Sequence, residues 1–87
     1  MVKIEKFSQD IYQIKDNNNT ICFPKEKFED LYYAVPLNSS NFLRLLQDHI
    51  CTNSQERHTL NSMLDIEGDR GQILDNLQKQ IQEMSYP

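Results

Sequence analysis

The side chains that could bind a soft metal ion are few and badly spaced in this sequence. They are Cys22, His49, Cys51 and His58, and four such ligands would satisfy tetrahedral zinc. His49 and Cys51 lie two positions apart, however, so on one helix their side chains would point in nearly opposite directions. The C-x-x-C and H-x-x-x-H spacings that mark zinc sites do not occur in the sequence. We therefore predict neither a metal site nor a bound cofactor.

An acidic segment with the sequence DIEGDRG superficially resembles a calcium-binding loop. Asp65, Glu67 and Asp69 occupy alternate positions, as calcium ligands do. An EF-hand also needs glycine at the sixth loop position and glutamate at the twelfth, where this sequence has Arg70 and Asn76. The segment is therefore predicted to be a solvated turn between two helices.

Catalytic groups are equally hard to assemble from this sequence. A nucleophilic site needs a serine or cysteine beside a histidine that a third group orients. Asp48, His49 and Cys51 are close in sequence, but neighbours on a helix splay apart. The sequence has no glycine-rich phosphate loop, and a chain of 87 residues leaves little room for a substrate pocket. We expect a protein that is not an enzyme.

The first quarter of the chain has the alternation of β-strands. Short apolar–polar segments at 2–7, 11–14 and 20–23 are separated by turn residues. The turn 16–19, with the sequence DNNN, is the strongest such signal, because asparagine tolerates positive φ and hydrogen-bonds its own backbone. Residues 2–23 are therefore predicted to form a three-stranded antiparallel β-meander.

The remainder of the chain has helical periodicity, with apolar residues three and four positions apart. Pro24 suits the first turn of a helix, and Asn53 with Glu56 has the form of a capping pair. The predicted helices lie near residues 25–35, 40–51, 54–65 and 72–84. We expect one α+β domain spanning residues 1–87, with a helical part at 24–84 and a frayed tail at 85–87.

The charge balance is acidic and uneven. The chain has 13 acidic and 9 basic residues, a net charge of −4. Residues 1–29 carry five of each sign, so the excess lies in residues 30–87, with eight acids and four bases. An acidic surface repels nucleic-acid phosphates. The sequence lacks an apolar signal region and a membrane-spanning stretch, and its two cysteines are too few for a disulfide framework. We expect a cytoplasmic protein without membrane contact.

The leading functional hypothesis is a small acidic protein-binding module. Tyr32 and Tyr33 are consecutive on the first predicted helix, so they cannot both face the core, and exposed aromatics are enriched at protein interfaces. Such a module would be a regulator or inhibitor that occupies a partner protein's surface. A phage or mobile-element inhibitor of a host nucleic-acid enzyme fits, with carboxylates imitating phosphates. The predicted partner-binding residues are Tyr33, Leu37, Leu43, Asp65, Glu67, Asp69 and Asp75.

A DNA-binding regulator is the alternative hypothesis. The second and third predicted helices are joined by a short turn, as in a helix-turn-helix, and Gln, Arg and Asn side chains read base edges. The scarcity of lysine and arginine and the acidic surroundings oppose it. The residues that would contact DNA are Gln55, Arg57, His58 and Asn61.

The last predicted helix carries a short heptad pattern that suits weak homodimerisation. Its apolar residues are spaced three, four and three positions apart. Ile73 widens the stripe, which equally favours packing within the chain. The predicted seam consists of Leu74, Leu77, Ile81 and Met84.

Overall fold

The computed structural model describes residues 2–35, 41–66 and 69–84. Over these residues a sheet with strand order β1-β2-β3 precedes four helices, which confirms the predicted α+β class. The predicted frayed tail at 85–87 lies outside the described residues. The elements are β1 (Lys3–Lys6), β2 (Ile11–Lys15), β3 (Thr20–Pro24), α1 (Lys25–Ala34), α2 (Phe42–Ile50), α3 (Ser54–Ile66) and α4 (Arg70–Glu83).

The sheet is an antiparallel meander whose register is set by its second turn. The turn lies where it was predicted, but the side chain that bonds its backbone is Asp16 and not an asparagine: one carboxylate oxygen of Asp16 accepts from the N–H groups of Asn18 (2.8 Å) and Asn19 (2.7 Å). Ile14 consequently faces Ile21 on β3 and Ile4 on β1. Inward positions on all three strands then meet in one row.

One face of the sheet is buried beneath the helices. The rings of Tyr12 on β2 and Phe28 on α1 stack with centroids 4.1 Å apart and planes inclined by 5°. Each such buried side chain contributes roughly 1.5–3 kcal/mol of transfer free energy. The largest fully buried side chains are Phe28, Ile14, Leu31, Leu46, Ile50, Leu60, Met63, Leu64, Leu77, Ile81 and Val35.

The predicted start of α1 is confirmed, and the predicted start of the last helix was wrong by two residues. α1 begins at Lys25, as predicted, while Pro24 is extended (φ −72°, ψ 157°) and ends β3 instead of belonging to the first helical turn. The last helix begins at Arg70, not near 72, because the Asp69 side chain accepts a hydrogen bond from the Gln72 N–H at 3.1 Å. Gly71 therefore lies within α4.

The predicted cap of α3 is confirmed, with one shift. Asn53 Oδ1 accepts a hydrogen bond from the Glu56 N–H (2.9 Å). The Glu56 carboxylate accepts in return from the backbone N–H (2.8 Å) and hydroxyl (2.7 Å) of Thr52, one residue earlier than a standard capping box. This pair fixes where α3 starts relative to α2.

The outer edge of β1 is closed by a side chain from the other end of the chain. The Ile4 N–H donates to Gln80 Oε1 (2.9 Å), and Gln80 Nε2 donates to the Val2 carbonyl oxygen (3.3 Å). One amide of α4 thus replaces a neighbouring strand and protects an otherwise open edge. None of the helices in the described residues is both long and apolar enough to cross a membrane.

Replacing Gln80 with methionine tests this closure. Gln80→Met keeps the side-chain length but leaves the Ile4 N–H without its partner, so we expect a loss of about 1–2 kcal/mol in the free energy of unfolding. Urea denaturation measures it. Gln82→Met, on an exposed position of the same helix, is the matched control and should change stability by less than about 0.5 kcal/mol. Equal effects of the two variants would contradict this role of Gln80.

Candidate functional site

Helices α2, α3 and α4 border an open cleft of about 680 Å³, called here the three-helix cleft. This volume lies within the range of small-molecule and peptide side-chain sites. The lining combines half-buried leucines with exposed charges of both signs. Its principal residues are Leu43, Arg44 and Asp48 on α2, Arg57 on α3, and Leu74 and Asp75 on α4.

Helical periodicity explains why these side chains converge. Arg44 and Asp48 are one turn apart on α2 and form one edge of the cleft. On α4, Gly71, Leu74 and Asp75 follow the i, i+3, i+4 spacing of a single face. The adjacent side of α4 is anchored in the core through Leu77 and Ile81, which continue the stripe of Leu74 and leave Gly71 and Asp75 exposed.

Asp48 stands between two arginines at the rim. Its Oδ1 lies 3.6 Å from Arg57 Nη2, and its Oδ2 lies 3.9 Å from Arg44 Nε. The Arg44 side chain is 82% exposed and that of Asp48 is 51% exposed, so water screens both pairs. With Asp75, the main charges of the cleft sum to zero. These pairs add little stability and can be exchanged for contacts with a partner.

The four residues of the alternative DNA-binding hypothesis do not form one free surface. Gln55 and His58 are exposed on α3, whereas Arg57 turns to Asp48 in the three-helix cleft. Asn61 is half-buried, and its Oδ1 accepts a hydrogen bond from Gln47 Nε2 at 3.2 Å. Arg57 and Asn61 therefore join α3 to α2.

The predicted partner-binding residues do not form one surface. Leu43 and Asp75 meet in the three-helix cleft, half-buried and exposed respectively. Tyr33 is on α1 and is 64% exposed, with its ring edge-on to that of Tyr32. Leu37 lies outside the described residues. The cleft thus unites two members of the set.

Two acidic members of that set, Asp65 and Asp69, already have contacts within the chain. Asp65 pairs with Arg70, with Oδ1 at 2.6 Å from Nη2, and Asp69 caps α4. Glu67 lies outside the described residues. Of the described acids in the set, Asp75 is the one that lines the three-helix cleft.

Most of the predicted dimer seam packs against the core of its own chain. Leu77 and Ile81 are fully buried in the core, and Leu74 and Met84 are half-buried against it. The packing within one chain, which the wide apolar stripe also favoured, accounts for these positions. A homodimer through this seam would need α4 to leave the core.

The candidate metal ligands are dispersed. His49 Nδ1 hydrogen-bonds the Leu45 carbonyl oxygen (2.9 Å), and Cys22 is exposed on β3. Burial, with a smaller effect of the Glu56 charge, raises the pKa of the Cys51 thiol. Within residues 2–35, 41–66 and 69–84, His, Cys, Asp and Glu side chains form no group of three or more that could hold a metal ion.

Sequence reasoning missed three features of the surface. Phe7 is 66% exposed, although the alternation of β1 already places it on the same side as Lys3 and Glu5. Arg44 was not singled out, although its i, i+4 spacing to Asp48 was readable. Gly71 was assigned to a turn, and its place in the cleft required the tertiary structure.

Gly71 offers a test of the cleft wall. A Cβ at this position would meet only the Asp69 carboxylate, at an ordinary 3.5 Å. Gly71→Ala should therefore raise the free energy of unfolding by about 0.5 kcal/mol or less, because Gly71 lies in the first turn of α4, where the helix-propensity difference is smaller than in the interior; urea denaturation measures it. A loss of stability would mean that the backbone is approached more closely than the open cleft implies.

The function of the chain must therefore be inferred from this geometry. The three-helix cleft brings charged side chains and leucines from three helices together in one place. The chain matches no protein family, no curated protein and no solved structure.

Proposed function

We propose that this chain is a non-enzymatic protein-binding module, a small acidic regulator or inhibitor that holds a segment of a partner protein in the three-helix cleft. The observation that carries the proposal is the convergence of apolar and charged side chains from three helices around an open volume of about 680 Å³. Protein interfaces combine an apolar centre with a polar rim in this way.

The apolar part of the cleft is supplied by Leu43 and Leu74. Both are half-buried and pack against the core, so their exposed remainder is held in place by their own helices. An apolar side chain of the partner would cover this remainder without a large entropic cost, because the leucines are already ordered.

The charges at the rim favour one orientation of a bound segment. Arg44 and Arg57 lie on the α2–α3 side, whereas Asp75 lies on α4. A partner segment with an acidic and a basic side chain, suitably separated, can pair with both sides in one orientation. The rim therefore supports selection of a partner, while the leucines supply affinity.

The net charge of −4 favours a basic partner surface. A nucleic-acid enzyme has such a surface, which is why inhibition of a host enzyme by a phage or mobile-element protein remains the finer form of the proposal. In that form Asp75 pairs with a lysine or arginine of the enzyme. The DNA-binding alternative is less favoured, because Arg57 and Asn61 bond to α2.

Filling the cleft tests the proposal. Gly71→Trp places an indole in the open volume, and Gly71→Ala is the matched control with the same backbone change. Tagged full-length chains would be exposed to nuclease-treated source lysate, and bound proteins quantified by mass spectrometry. We expect a stoichiometric partner with the wild type and Gly71→Ala, and at least a tenfold loss with Gly71→Trp. Equal recovery with both variants would overturn the proposal.

The charge of Asp75 provides an independent test on the purified pair. Asp75→Asn should weaken binding about fivefold, or ~1 kcal/mol, whereas Asp65→Asn, which lies outside the cleft, should not. Raising the salt concentration should shrink the difference. In a parallel experiment with lysate that has not been treated with nuclease, recovery of nucleic acid in place of protein, with binding that Arg57→Ala abolishes, would instead support the DNA-binding alternative.

A further inference from the structure

The two outer strands of the sheet, β1 and β3, differ in whether other groups bond to their outer edges. The edge of β1 is closed by the Gln80 side chain, as described above. The hydrogen-bonding pattern of β3 follows from the second turn, where the Asp16 N–H donates to the Asn19 carbonyl oxygen at 3.0 Å. Since hydrogen-bonded pairs alternate along an antiparallel ladder, Ile21 and Phe23 bond to β2. Thr20, Cys22 and Pro24 must direct their backbone groups outward.

These outward groups lie on exposed residues and have no partner within the described residues. The Lys25 N–H, next in the alternation, donates to the Asp10 carbonyl oxygen at 2.9 Å, which confirms the assignment. Thr20, Cys22 and Pro24 are all exposed. Within the part of the chain that the structure describes, no group bonds to the outward N–H of Thr20 or Cys22. An edge of this kind is a template for a further strand.

We propose that β3 pairs antiparallel with β3 of a second copy of this chain, about a two-fold axis at Cys22, to form one sheet across the dimer. At the axis the Cys22 N–H of each copy donates to the Cys22 carbonyl oxygen of the other. On either side the Thr20 N–H donates to the Pro24 carbonyl oxygen across the interface. Pro24 has no N–H to leave unpaired.

The absence of charge on β3 makes a second copy of this chain a suitable partner for its edge. The strand, with the sequence TICFP, contains no charged residue, so it lacks the edge lysines that oppose self-pairing. In the sheet register Cys22 lies beside Gln13, and Glu5 is one strand further from the axis. Lys15 lies beside Thr20, which would face an uncharged proline across the interface. Pairing of two copies therefore places no like charges opposite each other.

This surface is separate from the three-helix cleft, which is built from α2, α3 and α4. The proposed dimer therefore goes beyond the proposed function, and each proposal can be tested without the other. It also differs from the α4 seam, because it leaves Leu77 and Ile81 in the core.

Variants at Cys22 test the dimer by sedimentation equilibrium of the full chain over a range of concentrations. Cys22→Ser keeps the outward N–H and should dimerise like the wild type. Cys22→Pro removes that N–H without touching the bonds to β2, and Cys22→Lys places two like charges at the axis. We expect each of these two to raise the dimer dissociation constant at least tenfold, with circular dichroism confirming the fold.

Cross-linking provides a second readout on the unmodified chain. Residues in a hydrogen-bonded antiparallel pair have Cα atoms about 5.5 Å apart, so a short bis-maleimide should join Cys22 to Cys22 of the second copy. Cys22→Ser should give no covalent dimer, because Cys51 is buried and its thiol pKa is raised. A wild type that is monomeric at every concentration and does not cross-link would overturn the inference, as would dimers that Cys22→Lys and Cys22→Pro leave unchanged.

Discussion

The contact between Gln80 and the backbone of β1 is the constraint on which the arrangement of the helices depends. It joins residues 76 positions apart and holds the last helix against the first strand. With α4 fixed there, Leu77 and Ile81 complete the core, and the adjacent side of the same helix borders the cleft with α2 and α3. The three-helix cleft is thus a consequence of how the fold is closed. Without this contact the edge of β1 would lose the two hydrogen bonds that join it to α4.

A sheet of three strands with helices on one side leaves its other face to water. Polar side chains bond to one another on that face: the Glu5 carboxylate accepts hydrogen bonds from Lys15 Nζ (2.9 Å) and Gln13 Nε2 (2.8 Å). The bond from Lys15, followed by that from Gln13, lowers the pKa of Glu5. A lowered carboxyl pKa contributes stability above the pKa of the unfolded chain, and this contribution disappears as the pH falls through the folded value. The group is exposed, so its contribution is small, and its main effect is to define the outer face.

The cleft and the outer edge of β3 belong to different parts of the molecule and can act together. Pairing of two β3 strands would leave α2, α3 and α4 of each copy open, and the dimer would carry two clefts. If the partner is itself repeated or dimeric, simultaneous engagement of both clefts would raise the effective affinity without any new contact. The weak ion pairs at the rim suit such binding at two clefts, because water screens each Arg–Asp pair and a partner can readily replace it.

The amino-acid sequence by itself determined the local features of this protein. Strand alternation, the DNNN turn at Asp16, the Asn53 cap and the helical stripes each depend on neighbours within about five positions, so residue type and spacing suffice to identify them. From these the α+β order and most of the core followed, and Leu43 and Asp75 were named as binding residues. Tertiary structure decided the rest. The pairing of Gln80 with Ile4, the convergence of Arg44, Arg57 and Asp75, and the difference between the two sheet edges all join distant segments. Periodicity assigns a side chain to a face of its own helix or strand, but which face meets which is settled only when the elements pack together.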